Sequence, residues 1–167
     1  MRDAGLVELA ERLQGICLGR GLSVATAESC TGGLAAATIT TVPGSSGYFL
    51  GGFVTYADDA KVALLGVPAA VLAAHGAVSA QVAIAMAEGA RARLGADLAV
   101  SLTGVAGPAG GTATKPVGLT YIGLATGEGS EVRRYAWSGD RNANRRAGVE
   151  AGLLWLADRA TSLGPRP

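Results

Sequence analysis

Apolar and polar positions along the chain follow the helical period in some segments and the extended period in others. Apolar residues spaced three to four apart over 4–19 predict an amphipathic helix, with glycines at its end. An apolar run over 22–27 predicts a short strand, which leads through a polar turn into a helical stretch ending near residue 40. This order of strand, tight turn and helix is typical of the start of an α/β unit.

The rest of the chain continues this pattern and adds one hairpin. The predicted strands are 48–56 and 97–103, the hairpin strands 117–126 and 131–137, and the helices 58–65, 69–74, 79–94 and 141–160. Asp58 is predicted to be the N-cap of its helix. Together the elements predict an α/β fold: a single three-layer α/β/α domain over residues 1–162 with a mixed, mostly parallel sheet, and residues 163–167 as a loose tail.

Composition narrows the classes of protein to consider. The 167 residues suit one domain with a sizeable core, and a net charge of +1 argues against binding nucleic acid over a broad basic face. No apolar run approaches the roughly 20 residues of a membrane-spanning helix. Cys17 and Cys30 cannot build a disulfide framework, and His75 belongs to no cluster with metal-ligand spacing. We expect a cytoplasmic protein with no metal or other cofactor and no nucleic-acid or membrane partner.

The first candidate site is the turn over residues 28–33, between a strand and a helix. Ser29 would present its hydroxyl beside backbone N–H groups and the positive end of a helix dipole, which favour a developing oxyanion or a phosphate. The alternative is that Ser29 or Thr31 merely caps the helix. Cys30 is a rival nucleophile, ranked second because buried cysteine is a common small hydrophobic residue.

Lys61 is the candidate base for this serine. With Asp58 as N-cap, Lys61 falls in the first helical turn, where the dipole disfavours an ammonium and partial burial would lower its pKa further. Tyr56, at the end of the preceding strand, could relay or orient the proton. The alternatives are a surface lysine, a core tyrosine, and a poorly supported triad through the isolated His75.

Two further segments are candidates for binding a substrate. The turn over 103–111 is rich in glycine, which lets backbone approach a ligand, but it matches neither the dinucleotide nor the triphosphate fingerprint. Arg141 and Arg145, near the start of the last helix, suit recognition of a phosphate or carboxylate. For Arg146 a solvated helix face with Glu150 as partner is preferred.

Motifs spread over nearly the whole chain carry a family resemblance. They are Thr26-Ala-Glu-Ser-Cys-Thr-Gly-Gly33, Pro43-Gly-Ser-Ser46, Gly52-Phe-Val-Thr-Tyr56, Lys61, His75-Gly-Ala-Val-Ser79, Thr103-Gly-Val-Ala-Gly-Pro108, Lys115-Pro-Val-Gly118 and Gly139-Asp-Arg141. In these motifs, from about residue 6 to about 160, the chain resembles the C-terminal nicotinamide-nucleotide amidohydrolase domain of the CinA family. Activities of the separate N-terminal domain of longer members are not expected here.

The resemblance implies deamidation of nicotinamide mononucleotide to nicotinic acid mononucleotide and ammonia, which returns a pyridine nucleotide to NAD synthesis. It implies that Ser29 is the nucleophile and that Lys61 and Tyr56 assist it, the same residues that the turn and helix arguments select. We expect acyl transfer without a metal, with the oxyanion held by backbone N–H groups of residues 30–33.

The substrate itself is expected to contact the loops and helix starts around this serine. The predicted binding residues are Thr31, Gly32, Gly33, Ser45, Ser46, Thr103, Gly104, Arg141 and Arg145. Because the family tends to self-associate, a homo-oligomer is also expected. The competing hypotheses are a non-catalytic nucleotide-binding or regulatory module of the competence/damage-inducible type, and a hydrolase that uses Cys30.

Overall fold

A computed structural model of the chain describes residues 3–164. The helices are α1 (Ala4–Arg20), α2 (Leu34–Thr40), α3 (Asp58–Leu65), α4 (Ala69–His75), α5 (Ala80–Leu94) and α6 (Arg141–Ser162), with a short 3₁₀ helix at Ser45–Gly47. The strands are β1 (Val24–Glu28), β2 (Phe49–Val54), β3 (Leu98–Gly104), β4 (Leu119–Thr126) and β5 (Gly129–Ala136). Every predicted helix and strand is present. None of these helices within residues 3–164 has the length and apolarity that a membrane crossing requires.

The strands form one mixed sheet in the order β2-β1-β3-β4-β5. β1 pairs in parallel with both β2 and β3, whereas the β3–β4 and β4–β5 pairs are antiparallel. The predicted mixed α/β sheet is therefore confirmed. Only β4 runs opposite to the other four strands, so most strands point the same way, as predicted. Of the four strand pairs in the described sheet, two are parallel and two are antiparallel.

Helices cover both faces of the sheet and complete the three predicted layers. On one face, Leu13, Ile39 and Leu153 bring α1, α2 and α6 into one core with the sheet. On the other face, Leu65 and Met86 bring α3 and α5 into a second core. Helices on both faces explain why β1 and β3 are buried along nearly their whole length.

A polar N-cap side chain marks the start of three of the six α-helices within residues 3–164, namely α1, α5 and α6. Ser79 and Asp140 cap α5 and α6 by accepting hydrogen bonds from backbone N–H groups three residues later, at 3.3 and 2.8 Å. The prediction for α3 is wrong, because its N-cap is Ala57 and Asp58 is already its first helical residue. The Asp58 carboxylate then points to a residue one turn further along instead of to the helix N–H groups.

The structure tests the predicted loose tail over residues 163–167 only in part. The carbonyl oxygen of Leu163 accepts a hydrogen bond from Arg20 at 2.7 Å, so the first residue of that predicted tail is held against α1. Residues 165–167 lie outside the described residues.

The carboxyl ends of three neighbouring strands meet at one edge of the sheet. Glu28, the last residue of β1, pairs with Val54 of β2 on one side and with Leu102 of β3 on the other. The segments that follow these strands therefore start side by side. In open α/β sheets this edge is where ligands bind.

Candidate active site

A cavity of about 310 Å³ lies at this edge of the sheet. Its volume is at the lower end of the roughly 300–1,000 Å³ typical of small-molecule sites. Six residues predicted from the sequence line it: Ser29, Tyr56, Lys61, Thr103, Gly104 and Arg141. The loops over 77–78 and 105–110 supply most of the remaining wall.

Ser29 is the first residue after β1, and only 9% of its surface is exposed. Its amide donates to the carbonyl oxygen of Leu102 at 2.9 Å, which extends the pairing of β1 with β3 by one residue. Its hydroxyl forms no hydrogen bond with any residue in the described range 3–164. The backbone of Ser29 is thus held against β3, while its hydroxyl remains available to a base or a ligand.

The carboxylate of Glu28 occupies the start of α2. Glu28 is completely buried, and its Oε2 accepts hydrogen bonds from the amides of Gly33 and Ala35 at 3.1 and 3.0 Å. Its Oε1 accepts from the amide of Ala36 at 2.9 Å. The free N–H groups expected at this helix start are therefore already satisfied from within the protein.

Two amides of the turn remain without a partner. The amide of Gly32 donates to the carbonyl oxygen of Ser29 at 3.0 Å. Those of Cys30 and Thr31 make no hydrogen bond within the part of the chain that the structure describes. The predicted oxyanion donors over 30–33 are thereby reduced to these two.

Lys61 is completely buried beside the cavity. Its Nζ donates to the backbone carbonyl oxygen of Tyr56 at 3.2 Å and lies 3.6 Å from Oδ1 of Asp58. Burial lowers the pKa of Lys61 below the ordinary 10.5, and the nearby Asp58 carboxylate opposes this shift. The direction agrees with the sequence prediction, but burial is the main cause.

The side chain of Tyr56 lies at the mouth of the cavity and not in the core. It is 60% exposed, and its hydroxyl accepts a hydrogen bond from Nη2 of Arg141 at 3.1 Å. Nη1 of Arg141 donates to the carbonyl oxygen of Gly107 at 2.8 Å. Tyr56 therefore contacts Lys61 through its backbone, while its hydroxyl is directed to the arginine.

Cys30 lines the same cavity but is poorly suited to act as a nucleophile. Burial raises the pKa of its thiol to about 11, so the thiolate is scarce at neutral pH. This favours Ser29 in the choice that the sequence left open.

Thr103 and Gly104 shape one wall of the cavity. The Thr103 hydroxyl donates to the carbonyl oxygen of Ala77 at 2.8 Å, which ties the loop before α5 to the end of β3. A Cβ atom at Gly104 would lie 2.5 Å from the carbonyl oxygen of Leu119, so only glycine allows this approach to β4. The wall at 77–78 was missed as a site element, although the motif over 75–79 contains it.

The structure does not place Ser45 and Ser46 at the cavity. They form the 3₁₀ helix just before β2, and the first residue of β2, Phe49, pairs with the first residue of β1, Val24. Ser45 and Ser46 therefore lie near the amino ends of these strands, at the opposite edge of the sheet.

Four other predicted binding residues do not line the cavity. The amide of Gly33 is bound to Glu28, and Thr31 is completely buried. Nη2 of Arg145 donates to the carbonyl oxygen of Thr31 at 2.8 Å, on the side of Gly32. Thr31, Gly32 and Gly33 thus belong to the turn itself, and Arg145 contacts the turn from α6.

The described residues show no candidate metal centre. Over residues 3–164, no group of three or more His, Cys, Asp or Glu side chains is arranged to hold a metal ion.

Comparison with known proteins places the chain in one family. The model of the CinA C-terminal domain matches residues 6–160. A CinA-like protein from Geobacter sulfurreducens is 55% identical over 140 residues, which cover 84% of this chain and 34% of that protein. A CinA-like protein from Citrifermentans bemidjiense is 52% identical over 149 residues, covering 89% of this chain and 36% of that protein. The chain thus spans about a third of the length of these relatives.

Solved structures show the same fold. The competence/damage inducible protein from Agrobacterium tumefaciens superposes with a TM-score of 0.89 at 42% identity, covering 95% of this chain and 97% of that one. A CinA superfamily protein from Klebsiella pneumoniae superposes with a TM-score of 0.91 at 32% identity, covering 95% of this chain and 99% of that one.

Proposed function

The chain belongs to the CinA C-terminal domain family, and we propose that it hydrolyses the carboxamide of nicotinamide mononucleotide to yield nicotinic acid mononucleotide and ammonia. The observation that carries this proposal is that Lys61 and Ser29 line the same cavity. The lysine is buried with a lowered pKa, and the serine hydroxyl makes no hydrogen bond with the described residues. This combination supplies a base and a nucleophile for acyl transfer.

In the proposed first half-reaction, neutral Lys61 takes the proton from Ser29 as Oγ bonds to the carboxamide carbon. The tetrahedral oxyanion is held by the free amides of Cys30 and Thr31. The Lys61 ammonium then returns the proton to the amide nitrogen, the carbon–nitrogen bond breaks, and ammonia leaves.

In the second half-reaction, water attacks the acyl-enzyme. Lys61 takes a proton from the water as its oxygen bonds to the acyl carbon, and the ester bond to Ser29 breaks. The serine oxygen recovers the proton from Lys61, and the product forms as the carboxylic acid, which releases its proton to solvent and leaves as the carboxylate. The cycle consumes one water and regenerates both side chains.

Substrate binding is proposed to use the mouth of the cavity. The guanidinium of Arg141 is exposed there and suits the phosphate of a mononucleotide. Tyr56 holds this arginine through its hydroxyl, and the glycine-rich loop after β3 lets backbone approach the ribose. The cavity of about 310 Å³ suits a small molecule.

The competing hypothesis of a binding module is less favoured because of Lys61. A buried lysine whose pKa is lowered destabilises the folded state at neutral pH, where the unfolded chain keeps the ammonium in water. A lysine that only bound a nucleotide phosphate would act best with its charge retained, whereas a general base needs the neutral amine that a lowered pKa favours.

The test is formation of ammonia and nicotinic acid mononucleotide from nicotinamide mononucleotide by the purified protein. Ser29→Ala is expected to lower kcat by about 10³-fold or more, as the loss of a nucleophile does elsewhere. Lys61→Ala is expected to lower kcat by about 10²-fold or more near neutral pH.

Cys30→Ala is the matched control at the neighbouring position and is expected to keep the activity. Full turnover in a folded Ser29→Ala protein, or its loss in Cys30→Ala alone, would contradict the proposed nucleophile. A folded wild-type protein that binds the mononucleotide without turning it over would favour the binding module.

A further inference from the structure

Two charged side chains outside the cavity hold the turn that carries Ser29. Glu28 lies at the end of β1 and binds three amides at the start of α2, whereas Arg145 reaches from α6 to the carbonyl oxygen of Thr31. We propose that Glu28 and Arg145 are positioning residues, which fix the turn so that Ser29 faces the cavity and the amides of Cys30 and Thr31 stay free. The inference rests on the proposed role of Ser29 as the nucleophile.

The turn needs such restraint because its own backbone is permissive. Gly32 and Gly33 are consecutive and both have positive φ, at 60° and 97°. Glycine adopts these angles readily but also leaves them readily, so two in succession do not define a single turn. Side-chain bonds from outside the turn are then required to select the conformation that presents Ser29.

Glu28 holds the end of the turn by accepting hydrogen bonds from backbone amides. Gly33, the N-cap of α2, has no side chain to accept the first helical N–H groups, and Glu28 accepts them in its place. Burying a carboxylate is costlier than using the short neutral cap that starts α5. The three charge-assisted bonds offset this cost and fix the residue directly before Ser29 relative to the helix directly after it.

Arg145 holds the middle of the turn by donating a hydrogen bond to a backbone carbonyl oxygen. Its Nη2 donates to the Thr31 carbonyl oxygen at 2.8 Å, and a Cβ atom on Gly32 would lie 3.6 Å from the same nitrogen. This bond fixes the peptide plane between Thr31 and Gly32, next to the plane whose amide is a proposed oxyanion donor. Together the two charged groups hold the turn at Thr31 and at Gly33 from positions outside the cavity.

The variants are Glu28→Gln, which keeps the shape but puts an N–H₂ group against backbone N–H groups, and Arg145→Met, which removes the donor. Asp3→Asn is the matched change at the carboxylate that caps α1. Arg20→Met removes an arginine that likewise donates to a carbonyl oxygen, that of Leu163, at 2.7 Å. Arg145→Lys tests rescue by a conservative variant.

Three quantities are measured on each protein. They are kcat and KM for nicotinamide mononucleotide, the melting temperature, and the rate at which a fluorophosphonate modifies Ser29, followed by intact mass. Glu28→Gln and Arg145→Met are expected to lower kcat and the modification rate by about 10- to 100-fold, the effect of misplacing a reacting group by about 1 Å. We expect KM to stay within about threefold, both controls to stay near wild type, and Arg145→Lys to recover part of the loss.

Several outcomes would overturn the inference. These are modification at the wild-type rate in both variants, equal losses in the two controls, or a wild-type Ser29 that takes no label. If Glu28→Gln does not fold, Arg145→Met and Arg145→Lys decide the question. A wild-type protein that is labelled at Ser29 but does not hydrolyse the mononucleotide refutes the proposed substrate, and the modification rates still decide the positioning role.

Discussion

The ionisation of Lys61 is set by two opposing influences. Burial lowers its pKa because the ammonium loses its hydration, whereas the Asp58 carboxylate 3.6 Å away favours the ammonium. The proposed mechanism needs the neutral amine, so kcat/KM should rise with pH as Lys61 loses its proton and level off above its pKa.

Replacing Asp58 with Asn should therefore shift the pH dependence of activity. Without the carboxylate the pKa of Lys61 falls further, so the rise of kcat/KM with pH begins at a lower pH. At pH values below the pKa of Lys61 in the wild type, the variant is therefore more active than the wild type. The measurement is kcat/KM against pH for wild type, Asp58→Asn and Asp59→Asn. Asp59 is the matched control because it is adjacent and forms no ion pair with Lys61 in the described structure. A limb that moves to higher pH in Asp58→Asn would contradict this account.

For single residues, the sequence predicts the proposed nucleophile and base better than it predicts the residues that hold them in place. Ser29 and Lys61 are accessible to prediction because a strand end followed by a glycine-rich turn and a short helix are local patterns. The role of Glu28 cannot be predicted from local sequence, since its three hydrogen bonds depend on how the turn folds back over the end of β1. The sequence predicts Asp58 as an N-cap, a common role for aspartate at a helix start. In the structure its carboxylate forms an ion pair with Lys61 instead.

Among the elements, close contact between α3 and α5 depends on a missing side chain. A Cβ atom at Gly89 of α5 would lie within 2.1 Å of the carbonyl oxygen of Leu65, the last residue of α3. Gly15 of α1 differs, because nothing lies within 4 Å of the corresponding position. Packing therefore requires glycine at position 89, whereas at position 15 glycine only lowers the intrinsic helix propensity.

Substituting alanine at these two glycines should have opposite effects on stability. Gly15→Ala is expected to raise the free energy of unfolding by about 0.5–1 kcal/mol, the cost of an interior helical glycine. Gly89→Ala is expected to lower it by about 1–3 kcal/mol, because α3 must move away from α5. Urea unfolding followed by circular dichroism measures both. A Gly89→Ala protein as stable as wild type would show that α3 moves at little cost.

The elements themselves are largely predictable, because their ends carry local signals. Ser79 and Asp140 mark helix starts, and Gly21 and Gly95 mark helix ends with positive φ. The sheet order is not local. The pairing of β1 with β3 depends on packing between segments about 70 residues apart, and no periodicity within either strand specifies the partner.

For the molecule as a whole, strand order determines which loops reach the cavity. The segments after β1, β2 and β3 converge at one edge, and the start of α6 joins them through Arg141. Ser45 and Ser46, predicted as substrate contacts from their motif alone, lie near the other edge. A sequence motif identifies the polar residues but not the edge of the sheet on which they lie.

A double variant at Ser45 and Ser46 tests whether one copy of the chain completes the site. If it does, replacing both serines with Ala leaves kcat and KM near wild type, because neither side chain reaches the cavity of its own chain. Arg141→Met is the positive control and should raise KM by about tenfold or more, the value of a lost hydrogen bond to a charged group. If the double serine variant raises KM as much as Arg141→Met, mixing it with Ser29→Ala protein identifies the cause. Restored activity would show that a loop from a second copy contributes to the cavity, because each mixed pair then forms one site with an intact nucleophile and intact serines. Loss without restoration would instead indicate that the 3₁₀ helix before β2 supports the fold of its own chain.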